Sequence, residues 1–230
     1  MINIKKFIKD NSDFRYAEFN RQFIKSQYEI CGVRVPLLRK FAKEIEPEYI
    51  ELEEKGLTHE EILLYGFSAG LIKSEDEQIE YLENILPYID NWATCDEIVP
   101  SLKQFKTEKS YQYLTELLKS DKEYYTRAGI VGLMRFFLKT DKCEEILSNI
   151  RKITNDTFYV KMATSWFYAE LCTFNFELGK REIALSQDKF IRNRAIQKAC
   201  ESYRVDKPNK EELQKLKIKQ KKHDLSCFFY

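Results

Sequence analysis

Apolar positions recur along this chain at intervals near three and four, and no segment shows the strict alternation of a half-buried strand. Between Phe14 and Phe23, the apolar residues Phe14, Ala17, Phe19 and Phe23 stand among polar ones, which is a helical period. A short amphipathic lead, Ile4 to Ile8, precedes them. Further on, the same spacing predicts helices from His59 to about Lys73, Glu75 to about Leu86, Pro87 to about Phe105, Glu108 to Leu118 and Lys122 to Lys139. It predicts others from Lys142 to Ile153, Asp156 to Phe174, Glu177 to Leu185, Lys189 to Val205, and from Lys210 onward. Thr58 with Glu61, and Ser74 with Glu77, fit the capping box in which a hydroxyl and a carboxylate serve orphan N–H groups at a helix start. Gly32 reads as a break, and Pro36 as the first turn of a new helix, where its missing N–H costs nothing. With only 7 Gly and 5 Pro in 230 residues, the chain has few turn formers, so long helices with short connections are expected and the fold class is all-α.

The helices also repeat. Tyr125-Thr-Arg-Ala-Gly returns 34 residues later as Tyr159-Val-Lys-Met-Ala, and more weakly 32 residues after that as Ile191-Arg-Asn-Arg-Ala. A helix-pair unit of that length marks an α-solenoid, in which side chains at equivalent repeat positions line up along a concave inner face. Arg127, Lys161 and Arg192 or Arg194 are therefore candidates for a ladder of cations; the alternative is that each pairs with a neighbouring Asp or Glu.

Charge alters the picture only locally. Lys and Arg number 38 against 37 Asp and Glu, a net charge of +1, so no polyanion partner is advertised by the whole chain. From Glu44 to Asp90, however, fourteen acids face only Lys55 and Lys73, whereas Lys207 to Lys222 holds seven lysines against Glu211 and Glu212. The second stretch reads as a solvated tail. Six cysteines form no C-x-x-C pair, and His59 and His223 lack ligand spacing, so neither a metal site nor a cofactor is expected. No apolar run reaches the length of a membrane span and no leader is visible. A reduced, cytoplasmic, monomeric protein is the expectation.

The most unusual juxtaposition is Trp92 with Asp96, one helical turn apart in Tyr88-Ile-Asp-Asn-Trp-Ala-Thr-Cys-Asp-Glu-Ile-Val-Pro100. An aspartate is a poor neighbour for a buried tryptophan unless it is paired or looks into a groove. Trp166, the other tryptophan, falls in the same repeat phase as Arg127.

Four segments, Gly32 to Lys40 (Gly-Val-Arg-Val-Pro-Leu-Leu-Arg-Lys), Asn91 to Asp96, Tyr125 to Ala128 and Tyr159 to Trp166, stand in an order that resembles the AlkD-type DNA alkylation repair family, over about Phe14 to Val205. The resemblance implies a single HEAT-like repeat domain over residues 1–205, with residues 206–230 as a Lys-rich tail. It implies a concave face that cradles duplex DNA, and a monofunctional glycosylase releasing cationic N3- or N7-alkylated purines. In that reading Asp96 is the catalytic carboxylate, Trp92 and Trp166 are aromatic walls, and Arg127 clamps a phosphate. Lys161, Arg192, Arg194 and Arg34 add phosphate contacts. Such an enzyme would associate with the nucleoid when acting. Family members often carry Arg three residues after the second tryptophan, where this chain has Ala169 followed by Glu170. A non-catalytic binder of damaged or branched DNA and a protein-binding helical scaffold are the alternatives.

Overall fold

The computed structural model describes residues 3–45 and 56–218. Within them lie thirteen α-helices and, apart from one parallel bridge between Glu29 and Thr58, no strand. The end of the Lys-rich tail, from Lys219, and residues 46–55 of the acidic stretch lie outside the described residues. No described helix is long and apolar enough to cross a membrane.

The chain divides into two compact units, 1–155 and 156–230. The first contains α1 (Ile4–Asn11), α2 (Phe14–Arg21), α3 (Val35–Phe41), α4 (His59–Ala69), α5 (Glu75–Ile85), α6 (Trp92–Ile98), α7 (Glu108–Leu117), α8 (Glu123–Phe136) and α9 (Cys143–Ile150). Here α4 packs against α3, α5 and α6, and α8 packs against α6 and α7. Ile62, Leu64, Leu82, Ile85, Ile98, Phe105 and Leu114 are fully buried among them. The close approach of α6 to α4 depends on Gly66, where a Cβ would meet Ile98 Cγ1 at 2.4 Å. The second unit contains α10 (Phe158–Phe174), α11 (Phe176–Leu185), α12 (Lys189–Glu201) and α13 (Lys207–Lys215). In it α10 packs against α11 and α12, and α13 against α12, around Phe167, Leu171, Ile183, Ala195, Ile196 and Leu213.

Local chemistry explains most helix ends. Thr58 accepts from the Glu61 N–H while the Glu61 carboxylate accepts from the Thr58 N–H, a complete capping box at α4; at α5 the Ser74 hydroxyl accepts from the Glu77 N–H. Pro36 lies in the first turn of α3, and Gly32 breaks the chain with φ of +84°. The helices end earlier than periodicity suggests: α4 stops at Ala69, α8 at Phe136 and α12 at Glu201.

One expected helix is wrong as a single element. The stretch from Pro87 to Phe105 is a 3-10 turn at Leu86–Tyr88, an extended link, the short α6, and a second 3-10 turn at Val99–Ser101. Two effects interrupt it. Asn91 caps a new helix instead of continuing one, because its side-chain oxygen competes for a backbone N–H. Pro100 has no N–H to donate, so the α-helical ladder cannot run through it.

Candidate functional site

The site is built on the seven residues of α6. Asn91, in extended backbone at φ −150° and ψ 161°, accepts from the Thr94 N–H at 3.0 Å and so starts the helix at Trp92. Trp92 and Asp96 then stand one turn apart. Half-buried, Trp92 packs against Ala17, Ile24 and Ile30, and its indole Nε1 donates to the Phe23 carbonyl at 3.1 Å. That hydrogen bond fixes the ring in its plane.

Asp96 does not look into open solvent. Arg127, on the second turn of α8, donates from Nε to Oδ1 at 2.9 Å and from Nη2 to Oδ2 at 2.7 Å. This is a side-on, bidentate pair, with the arginine side chain 6% exposed and the aspartate 18%. Burial alone would lower the Arg127 pKa, but the hydrogen bond and charge of Asp96 outweigh it and hold the guanidinium above its ordinary value. The neighbouring Cys95 is fully buried, and burial first, then the Asp96 charge, pushes its thiol far above the ordinary range. It is a packing group and not a nucleophile at neutral pH.

The other candidates are engaged close to home. Arg34, the N-cap residue of α3, lies 3.7 Å over the Tyr16 ring and pairs with Asp13 at 3.4 Å. In the second unit, Lys161 bridges Asp156 at 2.6 Å and Asp188 at 3.0 Å. Arg192 donates from Nη2 to the carbonyls of Ala184 and Ser186, the latter at 2.8 Å, closing the C-terminal end of α11. Arg194 donates to Gln197 at 2.8 Å and sits 5.6 Å over the Phe190 ring. Trp166 is half-buried on α10. Ala169 is buried, and the Glu170 beside it is held by Arg204, which donates from Nη1 at 2.7 Å and also from Nη2. The extra anion is thus neutralised within its own unit.

The structure therefore unites Trp92, Asp96 and Arg127 and shows why they were separable in sequence: α6 and α8 pack directly. It also adds groups that pattern reading missed. Glu60, almost wholly buried, accepts from the N–H groups of Cys31, Gly32 and Val33, with the Gly32 bond at 2.7 Å. It orders the turn that leads into α3. The Asn91 cap, which the single helix expected from Pro87 passes over, has a local signal in its residue type, since Asn favours the N-cap, whereas nothing in the sequence marks Glu60 as buried.

By class, the described residues form an all-helical protein that seats a carboxylate, bonded to an arginine, one helical turn from a pinned tryptophan. The chain is a member of the family described as DNA alkylation repair enzyme, whose model matches residues 4–202. A comparison with curated proteins gives no significant match.

Proposed function

We propose that the protein is a DNA glycosylase that hydrolyses the N-glycosidic bond of cationic N3- or N7-alkylated purines in duplex DNA. The observation that carries this reading is the Asp96 carboxylate, held by two charge-assisted hydrogen bonds from Arg127, one helical turn from Trp92. Alkylation at N3 or N7 makes the purine a cationic leaving group, and departure of the base builds oxocarbenium character on the sugar. A fixed carboxylate stabilises that charge and orients the attacking water. The indole face of Trp92 attracts a cation by roughly 0.5 to 2 kcal/mol. Because Arg127 already engages both oxygens of Asp96, its first role in this account is to orient the carboxylate. Contact with a phosphate is made alongside that pair or at its expense.

We read the frame as HEAT-like helix pairs. Support comes from the equivalent places of Arg127 and Lys161, two residues beyond Tyr125 and Tyr159, near the starts of α8 and α10. In the second unit, Trp166 is proposed as an aromatic contact and Lys161, Arg192 and Arg194 as phosphate contacts, each on its own unit's surface; Arg34 serves likewise in the first. Lys161 and Arg192 reach a phosphate only by loosening their present bonds, so the salt dependence of binding should be shallow, with a slope of log Kobs against log salt of about −0.9 per phosphate engaged.

A second reading is favoured by the same ion pair, since a fully engaged Asp96 suits a non-catalytic binder of damaged or branched DNA. Incubation with methylated duplex DNA separates the two. Release of free 3-methyladenine or 7-methylguanine supports the glycosylase, salt-sensitive binding without release supports the binder, and absence of salt-sensitive binding points to a protein scaffold.

A further inference from the structure

Asp90 lies outside the catalytic constellation, yet its carboxylate makes more bonds than any ordinary surface aspartate. The single Ser26 hydroxyl hydrogen is shared between Oδ1 at 3.0 Å and Oδ2 at 2.9 Å, while Oδ1 also accepts from Asn91 Nδ2 at 2.8 Å and Oδ2 from the Gln27 N–H at 2.6 Å. Each bond leads toward Trp92. On one side, the Asn91 amide must turn its Nδ2 toward the carboxylate, which can only accept, and this leaves its Oδ1 facing the Thr94 N–H as the cap of α6. On the other side, Ser26 and Gln27 make the turn three and four residues after Phe23, whose carbonyl receives the Trp92 indole N–H. Asp90 thereby fixes Trp92 twice, at its backbone through the cap and at its ring through the turn.

Packing does only part of this job. Trp92 rests on Ala17, Ile24 and Ile30, but the turn borders an open cleft of about 680 Å³ lined by Arg21, Lys25, Tyr28 and Asp90 itself, so one face of it has no side chains to press against. A serine or an aspartate at the cap would bond the Thr94 N–H without help from residue 90. The asparagine also leaves an Nδ2 for the neighbour to hold, so Asp90 reinforces the start of α6.

We infer that Asp90 is a positioning residue for the Trp92–Asp96 face, acting through the Asn91 cap and the Ser26–Gln27 turn. The inference rests on the reading of that face as the reactive one, and the experiment separates the two. In the full-length protein, Asp90→Ala should slow single-turnover release of 7-methylguanine by about tenfold or more, since misplacement of about an ångström can cost a hundredfold, while the Kd for duplex DNA changes less than twofold. In a Trp166→Phe background, where Trp92 is the sole tryptophan, the same substitution should shift the tryptophan emission to the red and increase its quenching by acrylamide. Asp90→Asn, with one acceptor oxygen in place of two, should give smaller changes in the same direction and serves if the alanine variant does not fold. In an Asn91→Ser background, whose cap needs no orientation, the effect of Asp90→Ala should shrink relative to that background's own rate. Unaltered Trp92 emission, an equal loss of binding and rate, or an Asp90→Ala effect of undiminished size in the Asn91→Ser background would overturn the inference. Absence of base release by the unsubstituted protein would overturn the proposed reaction instead, and the emission measurement would still decide the role of Asp90.

Discussion

Arg127 and Lys161 stand at matching places in the similar segments Tyr125-Thr-Arg-Ala and Tyr159-Val-Lys-Met and have opposite surroundings. Arg127 is buried against one carboxylate, engaged through two nitrogens. Lys161 has a side chain 21% exposed and holds two carboxylates, Asp156 at 79% and Asp188 at 30% exposure. A planar fork matches a carboxylate edge to edge, whereas an ammonium is a point charge that gathers several partners. The first arrangement orients a group, and the second ties the residues just before α10 to the start of α12, since Asp188 also caps α12 through the Phe190 and Ile191 N–H groups. The same place in two similar segments carries a cation, and the residues around it decide what the cation does.

The largest expected effect comes from removing the buried partner. Arg127→Ala leaves a mostly buried carboxylate without its counter-charge and should cost about 3 kcal/mol or more, whereas Lys161→Ala, facing solvent-screened acids, should cost under about 1 kcal/mol. Urea unfolding of both variants measures the gap, and equal losses would break the comparison. A double replacement sharpens it. Arg127→Met with Asp96→Leu should recover much of the stability lost by Arg127→Ala, because apolar residues of similar volume replace a buried pair well, yet should release no base.

The pH dependence separates the pairs further. The hydrogen bond to Asp156 raises the Lys161 pKa, burial opposes it, and Asp188 adds to the rise. Its stabilisation is therefore fully present below an ordinary lysine value of about 10.4 and is lost as pH rises through the raised folded value. Burial pushes Asp188 up, but the Ile191 N–H, Lys161 and the Phe190 N–H together pull it below its ordinary value. Its contribution is present above about pH 4 and fades as pH falls through the lowered folded value. Lys161→Met should flatten the melting temperature in both windows. Arg127 should contribute no alkaline limb, because its guanidinium stays protonated. The smallest effect belongs to Arg194, whose partners are Gln197 and Phe190: Arg194→Ala should change stability by less than about 0.5 kcal/mol and flatten the salt slope of duplex binding by about 0.9.

The helical class, the order of the helices and both helix-start hydroxyls could be read from spacing and capping chemistry alone, because those signals are local. The Trp92–Asp96 pair was legible for the same reason. Its bond to Arg127 was not, since 31 positions separate the two residues and only the packing of α6 on α8 joins them. The continuous helix expected from Pro87 to Phe105 failed because apolar period says nothing of an asparagine that prefers to cap or of a proline that cannot donate. Glu60 was hidden by composition: it is one of fourteen acids between Glu44 and Asp90, yet its carboxylate is buried on three backbone N–H groups. Buried polar groups satisfied by distant backbone leave no periodic trace.

The central claim is that Asp96, oriented by Arg127, is the carboxylate that releases the base. The most direct measurement compares wild type with Asp96→Asn, a near-isosteric change, in single-turnover release of 7-methylguanine from methylated duplex DNA, with binding measured on the same substrate. The account predicts that binding stays within about threefold while release falls by about a hundredfold or more, the scale of losing one preorganised electrostatic group. Release by Asp96→Asn at the wild-type rate would contradict it.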